Sequence, residues 1–119
     1  MWTISKEFTF DAAHSLPHLP EDHKCHRKHG HTYKVVVHCR GDLIPKMSWV
    51  VDYAGIASAT QPLIQQLDHR DIDEVIGITT TAENVAFWFY MNLRKELSTL
   101  YRVDVHETTG TCCSYCPQP

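Results

Sequence analysis

An α+β fold, with a four-stranded antiparallel sheet carrying two helices on one face, is what the sequence predicts. Three observations lead there. Four stretches read as strands: three alternate, and a fourth, 49–53, is rich in β-formers. Two stretches space their apolar residues as helices do. The order is β, long loop, β, β, α, α, β, so strands and helices do not alternate unit by unit as in a parallel sheet.

The first strand is Trp2 to Phe10, with Trp2, Ile4, Phe8 and Phe10 on one face and Thr3, Ser5, Glu7 and Thr9 on the other. If the extended backbone continues, His14 falls on the apolar side. The segment SLPHLPEDHKCHRKHG, polar and with two prolines, reads as a long loop, and a loop of that length in a small protein usually carries function or is disordered. From His31 to Cys39 alternation returns, with Tyr33, Val35, Val37 and Cys39 on one side. Gly41, Asp42 and Pro45 mark a connection to a β-rich run, Trp49 to Tyr53, predicted to pair with the preceding strand. Ile56, Thr60, Leu63, Ile64 and Leu67 give the first helix, which Pro62 should kink or split. Thr80-x-x-Glu83 has capping-box form and opens the second, with a stripe of Ala82, Val85, Ala86, Phe89, Leu93, Leu97 and Leu100. Phe87, Trp88, Tyr90 and Met91 lie outside that stripe, so this helix should be covered on more than one side. Tyr101 to Thr108 alternates again, with Val103, Val105 and Glu107 together.

Composition narrows the function. The chain of 119 residues, 43% hydrophobic, is expected to form one domain over residues 1–119. Eleven Lys and Arg against fourteen Asp and Glu leave a net charge of −3, which argues against a nucleic-acid partner. No apolar run approaches the roughly 18 residues of a membrane span. No basic segment leads into an apolar one at the N-terminus, and five Cys is an odd count, so free thiols and a cytoplasmic location are expected.

Of nine His, six (His14, His18, His23, His26, His29, His31) fall within eighteen residues. His29-Gly30-His31 enters a strand, where residues i and i+2 point the same way. His14 is a candidate third donor. Three neutral imidazoles hold Zn²⁺ and leave one position open, as catalytic sites do; the alternative is a set of surface or hydrogen-bonded histidines in a polar loop. Cys25 lies four residues before His29 and beside Lys24, Arg27 and Lys28, surroundings that favour a thiolate. Its spacing suits a fourth ligand or a general base, and leaves both open. Asp68-His69 at the end of the first helix is a carboxylate–imidazole neighbour pair suited to proton transfer, although His there also suits a helix end without any function. Glu107, on an apolar strand face, needs either water at the rim or a ligand with adjacent N–H groups. Cys112-Cys113-x-x-Cys116 has no second ligand pair and reads as an exposed tail, while Cys39 reads as a core residue.

Six short motifs in order, FTFDAAH (8–14), C-x3-HGH-x-Y (25–33), WVVDY (49–53), LDH (67–69), T-x-EN (81–84) and V-x-ET (105–108), resemble those of the 6-pyruvoyl-tetrahydropterin synthase family nearly end to end. Three residues between Cys25 and His29 are similar to the bacterial branch, the 6-carboxy-tetrahydropterin synthases of queuosine biosynthesis. The resemblance implies the tunnelling fold, in which trimers close a β-barrel and two trimers stack into a homohexamer. It implies Zn²⁺ on His14, His29 and His31, Cys25 as proton acceptor, and Asp68 with His69 as a relay, with sites built between subunits. It implies Glu107 and Thr81 in the pterin pocket. The implied reaction is a carbon–carbon lyase acting on 7,8-dihydroneopterin triphosphate; the alternatives are the pyruvoyl synthase reaction or a non-catalytic zinc- or pterin-binding protein. His26 departs from the many relatives with Gly there; its two readings are a perturber of Cys25 and a stray ligand. Trp2, Phe87, Trp88, Tyr90 and Met91 exceed what one sheet face buries, so several are expected in subunit contacts.

Overall fold

The structure, a computed structural model, describes residues 1–117. In chain order it contains β1 (Trp2–His14), a single 3-10 turn (Lys24–His26), β2 (His29–Gly41), α1 (Tyr53–Leu67), β3 (Arg70–Asp71), α2 (Ile72–Ile76), α3 (Ala82–Leu93), β4 (Leu100–Glu107) and β5 (Cys113–Tyr115). The strands form one mixed sheet in the order β3-β1-β2-β4-β5. All pairings are antiparallel except β1 with β3.

The α+β class stands, but the sheet differs from the expected one. Trp49–Tyr53 is not a strand. Both sides of β2 are already bonded, to β1 and β4, which leaves no edge for it. Asp52 instead caps α1, its carboxylate accepting the Ala54 N–H at 2.9 Å. Of the preceding residues only Val50 is buried. Two short strands and a third, five-residue helix make up the remainder.

Alternation places the core on one face. Phe8, Phe10 and Ala12 of β1 lie beside Tyr33, Val35, Val37 and Cys39 of β2 and Val103 and Val105 of β4, all buried. Phe10 stacks on Tyr33 with ring centroids 4.9 Å apart. α1 covers this face with Ile56, Leu63, Ile64 and Leu67, and α3 with Val85, Ala86, Phe89 and Leu93, giving one hydrophobic cluster. Pro62 does not split α1: it and Ser58, whose carbonyl loses its helical donor, are both on the exposed side, where water can take the donor's place.

The chain's end corrects a second expectation. Residues 113–115 are not a loose tail: Cys113–Tyr115 extends the sheet beyond β4, while Cys112 is exposed as expected. Tyr115 then stacks on Phe87 at 5.2 Å and meets Tyr90 at 5.1 Å. The chain itself thereby supplies cover for two of the five residues among which subunit contacts are expected. Trp2 stays 59% exposed. Among the described residues no helix is long and apolar enough to cross a membrane.

Candidate metal centre

β1 and β2 end where the histidines are. The antiparallel register sets His14 directly opposite His29 and Ala12 opposite His31, so the three imidazoles leave the sheet on its core face. Ring centroids are 4.5 Å apart for His14 and His29, 5.0 Å for His14 and His31, and 4.9 Å for His29 and His31. One ligating atom from each lies within 4.8 Å of the others.

In each ring Nδ1 is engaged elsewhere: His14 with the Thr80 carbonyl at 2.9 Å, His29 with the Arg27 carbonyl at 2.8 Å, His31 with Thr108 Oγ1 at 2.7 Å. Nε2 is the nitrogen left for a ligand. On His14, 1% exposed, Nε2 is buried without a hydrogen-bond partner. A buried polar atom without a partner is costly, so its position calls for one. Three nitrogens backed by carbonyl and hydroxyl oxygens could hold a metal ion.

Electrostatics agree. Burial lowers the pKa of His14 and of His31, the latter despite the Glu107 carboxylate, and neutral imidazole is the ligating form. Burial also raises the Glu107 pKa, against the pull of His31 and His29. Glu107 Oε2 lies 3.4 Å from His14 Nε2 and 3.7 Å from His31 Nε2. Both shifts run against the charged pair, and His14 Nε2 makes no hydrogen bond to the carboxylate. Glu107 also lines a cavity of about 360 Å³ with Ala82, Glu83, Thr111, Cys112 and Cys113.

Cys25 sits partly buried in the 3-10 turn and belongs to neither cluster of metal-ligating groups among the described residues. Its backbone ties the long loop together: the carbonyl accepts the Leu16 N–H at 2.7 Å and its own N–H donates to His23 Nδ1 at 3.0 Å. His26 donates Nδ1–H to the Leu19 carbonyl at 2.9 Å, a staple within the long loop, and belongs to neither cluster of metal-ligating groups among the described residues. Lys28 is paired with Asp71 at 2.8 Å and Asp73 at 2.6 Å.

Asp68 and His69 form a separate group with Asp11. The Asp68 carboxylate accepts the Asp11 N–H at 3.0 Å and lies 3.8 Å from His69 Nε2. Asp11 and Thr32 project from the sheet face opposite Phe10 and Tyr33. His69, 79% exposed, opens onto a broad cleft of about 760 Å³ that His31 and Thr108 also line. An apolar depression of about 340 Å³ around Trp2, Trp49 and Tyr53 lies at the opposite end of β1 from this chemistry.

The helix cap differs by one residue from the sequence expectation. Thr81, not Thr80, caps α3, its Oγ1 accepting the Asn84 N–H at 3.3 Å. Thr80 is fully buried and bonded to both His14 and Asp73. Thr80, Asp73, Glu83 and Thr108 are the site residues that sequence reasoning misses. Thr108 and Glu83 stand inside quoted motifs, so position could have flagged them; Asp73 has no local signal. Asp73 keeps its carboxyl pKa low although burial opposes it, because Lys28, Thr80 and Ser15 hydrogen-bond the ionised form.

A sequence profile described as 6-pyruvoyl tetrahydropterin synthase matches residues 3–118. The 6-carboxy-5,6,7,8-tetrahydropterin synthase of Synechocystis is 33% identical over 97% of this chain and 93% of its own length. The human 6-pyruvoyl tetrahydrobiopterin synthase is also 33% identical, over 94% of this chain and 89% of its own. The solved structure of Caenorhabditis elegans 6-pyruvoyl tetrahydropterin synthase superposes with a TM-score of 0.88 at 28% identity, covering 98% of this chain and 96% of that one.

Proposed function

The chain belongs to the 6-pyruvoyl tetrahydropterin synthase family, and from that premise we propose that it is a zinc-dependent lyase. Its substrates would be 7,8-dihydroneopterin triphosphate and water, and its products 6-carboxy-5,6,7,8-tetrahydropterin, acetaldehyde and triphosphate, in queuosine (7-deazaguanine) biosynthesis in the cytoplasm. The observation that carries the metal is the buried, unpartnered Nε2 of His14 beside His29 and His31.

His14, His29 and His31 hold the ion. Zinc at such a site polarises hydroxyl oxygens and eases loss of their protons. Glu107 accepts the adjacent N–H groups of the pterin ring, a bidentate pairing that sets the ring's orientation, with Thr81 at the pocket's helix end. Cys25 takes a proton from the substrate side chain, and His69, beside Asp68, returns protons. Asp68 and His69 form a cluster apart from the three histidines. We therefore assign them to the Cys25 of a neighbouring copy in a homohexamer built as a dimer of trimers. Lys28 is engaged with two carboxylates, which leaves Lys24 and Arg27 as the nearby cations for the triphosphate.

The spacing Cys25-x3-His29 supports the carboxy branch. The pyruvoyl reaction is retained as a second reading because the human relative matches at the same identity as the cyanobacterial one. Mass spectrometry of the pterin formed from 7,8-dihydroneopterin triphosphate separates the two. A 6-carboxy product supports the proposal; a 6-pyruvoyl product assigns the second reading; no turnover by zinc-loaded protein leaves a binding protein.

A further inference from the structure

The Asp73 carboxylate gathers donors from three separate parts of the chain. The Ser15 N–H and hydroxyl reach Oδ2 at 3.0 and 2.9 Å, and Lys28 Nζ reaches it at 2.6 Å. The Thr80 hydroxyl donates to Oδ1 at 2.5 Å. Each donor adjoins the histidine cluster: Ser15 follows His14, Lys28 precedes His29, and Thr80 touches the His14 ring.

The Thr80 contact has a consequence for which nitrogen carries the proton. A hydroxyl has one proton, and this one is committed to Asp73. Towards His14 Nδ1, 3.2 Å away, Thr80 Oγ1 therefore offers only a lone pair. The Thr80 carbonyl, 2.9 Å from the same nitrogen, is also an acceptor. Two acceptors at Nδ1, both nearer than the one Glu107 oxygen 3.4 Å from Nε2, hold the proton at Nδ1, and Nε2 keeps its lone pair for a metal. Were the hydroxyl free to rotate, it could donate to Nδ1 in competition with the carbonyl, and a proton moved to Nε2, towards Glu107 Oε2, would block ligation.

We propose that Asp73 is a positioning residue: through Thr80 it fixes His14 as the Nδ1–H tautomer, and through Ser15 and Lys28 it ties together the segments that carry His14 and His29. The metal-binding part of this inference rests on the proposed zinc site; the tautomer part does not.

The test uses the full chain, metal-free and then with zinc alone. Long-range ¹H–¹⁵N spectra of the metal-free protein report the His14 tautomer, and competition with a chromophoric chelator reports zinc affinity. Wild-type protein should show His14 as Nδ1–H only; an Nε2–H signal overturns the proposal without any variant being needed. Asp73→Asn should introduce the Nε2–H form and weaken zinc by roughly 10–100-fold, the usual effect of losing a partner behind a ligand. Asp73→Asn/Thr80→Val, lacking the hydroxyl that could donate wrongly, should return to Nδ1–H and recover part of the affinity. A purely structural role would show no such rescue. Asp73→Asn with wild-type tautomer and affinity, or a double variant no better than the single one, overturns the inference. Wild-type protein that binds no zinc but shows the expected tautomers would instead sink the metal-site reading and the affinity half of this proposal.

Discussion

Glu107→Gln separates the proposed ring binding from the proposed metal binding and from stability, with a different sign expected for each. The carboxylate is 24% exposed, and burial shifts the two nearest imidazoles towards their neutral forms, so neither water nor a charged partner fully offsets its burial. A carboxylate accepts two adjacent N–H groups; the amide accepts one and sets its own NH₂ against the other. Hydrogen bonds to charged groups contribute about 1.5–3 kcal/mol, and a buried donor left unpaired costs about 1–3 kcal/mol. A net loss of about 2.5–6 kcal/mol in kcat/KM follows, roughly 60- to 20,000-fold, seen chiefly in KM. Stability should not fall, because the amide removes a carboxylate that burial disfavours; the urea midpoint should hold or rise. Zinc should stay, since Glu107 is outside the three-histidine cluster. Steady-state kinetics, zinc analysis by mass spectrometry and a urea melt on one preparation provide all three readouts. A kcat/KM within threefold of wild type would refute the anchoring role. Loss of zinc as complete as in His14→Ala would make Glu107 a ligand.

Cys25→Ala should lower kcat by about 10²–10⁴-fold with its zinc retained, whereas His14→Ala should lose metal and activity together; equal zinc loss in both, by metal analysis, would make Cys25 a ligand. Phe89→Ala removes a fully buried ring packed near Phe10 and Trp88, and should cost about 3–5 kcal/mol in denaturant unfolding. In the metal-free protein the folded pKa of His14 and of His31 lies below the unfolded value of 6.5. The unfolded chain therefore binds more protons as pH falls through 6.5, and the melting temperature should drop from there towards pH 5. Asp73 and Asp104, held low by their hydrogen bonds, add stability above 3.8 that is lost only on further acidification. A melting temperature flat between pH 7 and 5 in chelator would contradict the buried, neutral histidines.

Period-two alternation makes β1, β2 and β4 legible, because each has one face in the core and a one-residue slip would turn it out. The same alternation carries His14 to the apolar side. Trp49–Tyr53 misleads because β-forming side chains cannot reveal that both sides of β2 are taken, or that Asp52 is worth more as a cap. Thr80 and Thr81 are equivalent to any local rule; what separates them is a contact with His14, 66 residues away. Asp73 is illegible for the same reason, its partners lying 58, 45 and 7 residues distant. The histidine cluster is readable because its two halves are strand ends. Asp68 and His69 stand out as neighbours in the sequence, but only the structure separates them from it.

Acetaldehyde release from 7,8-dihydroneopterin triphosphate, followed as zinc is returned to chelator-stripped protein, tests metal-dependent carbon–carbon cleavage most directly. Release should be absent in the stripped protein, rise with added zinc and level off at one zinc per chain. Full release without metal, or none at saturating zinc, would contradict it.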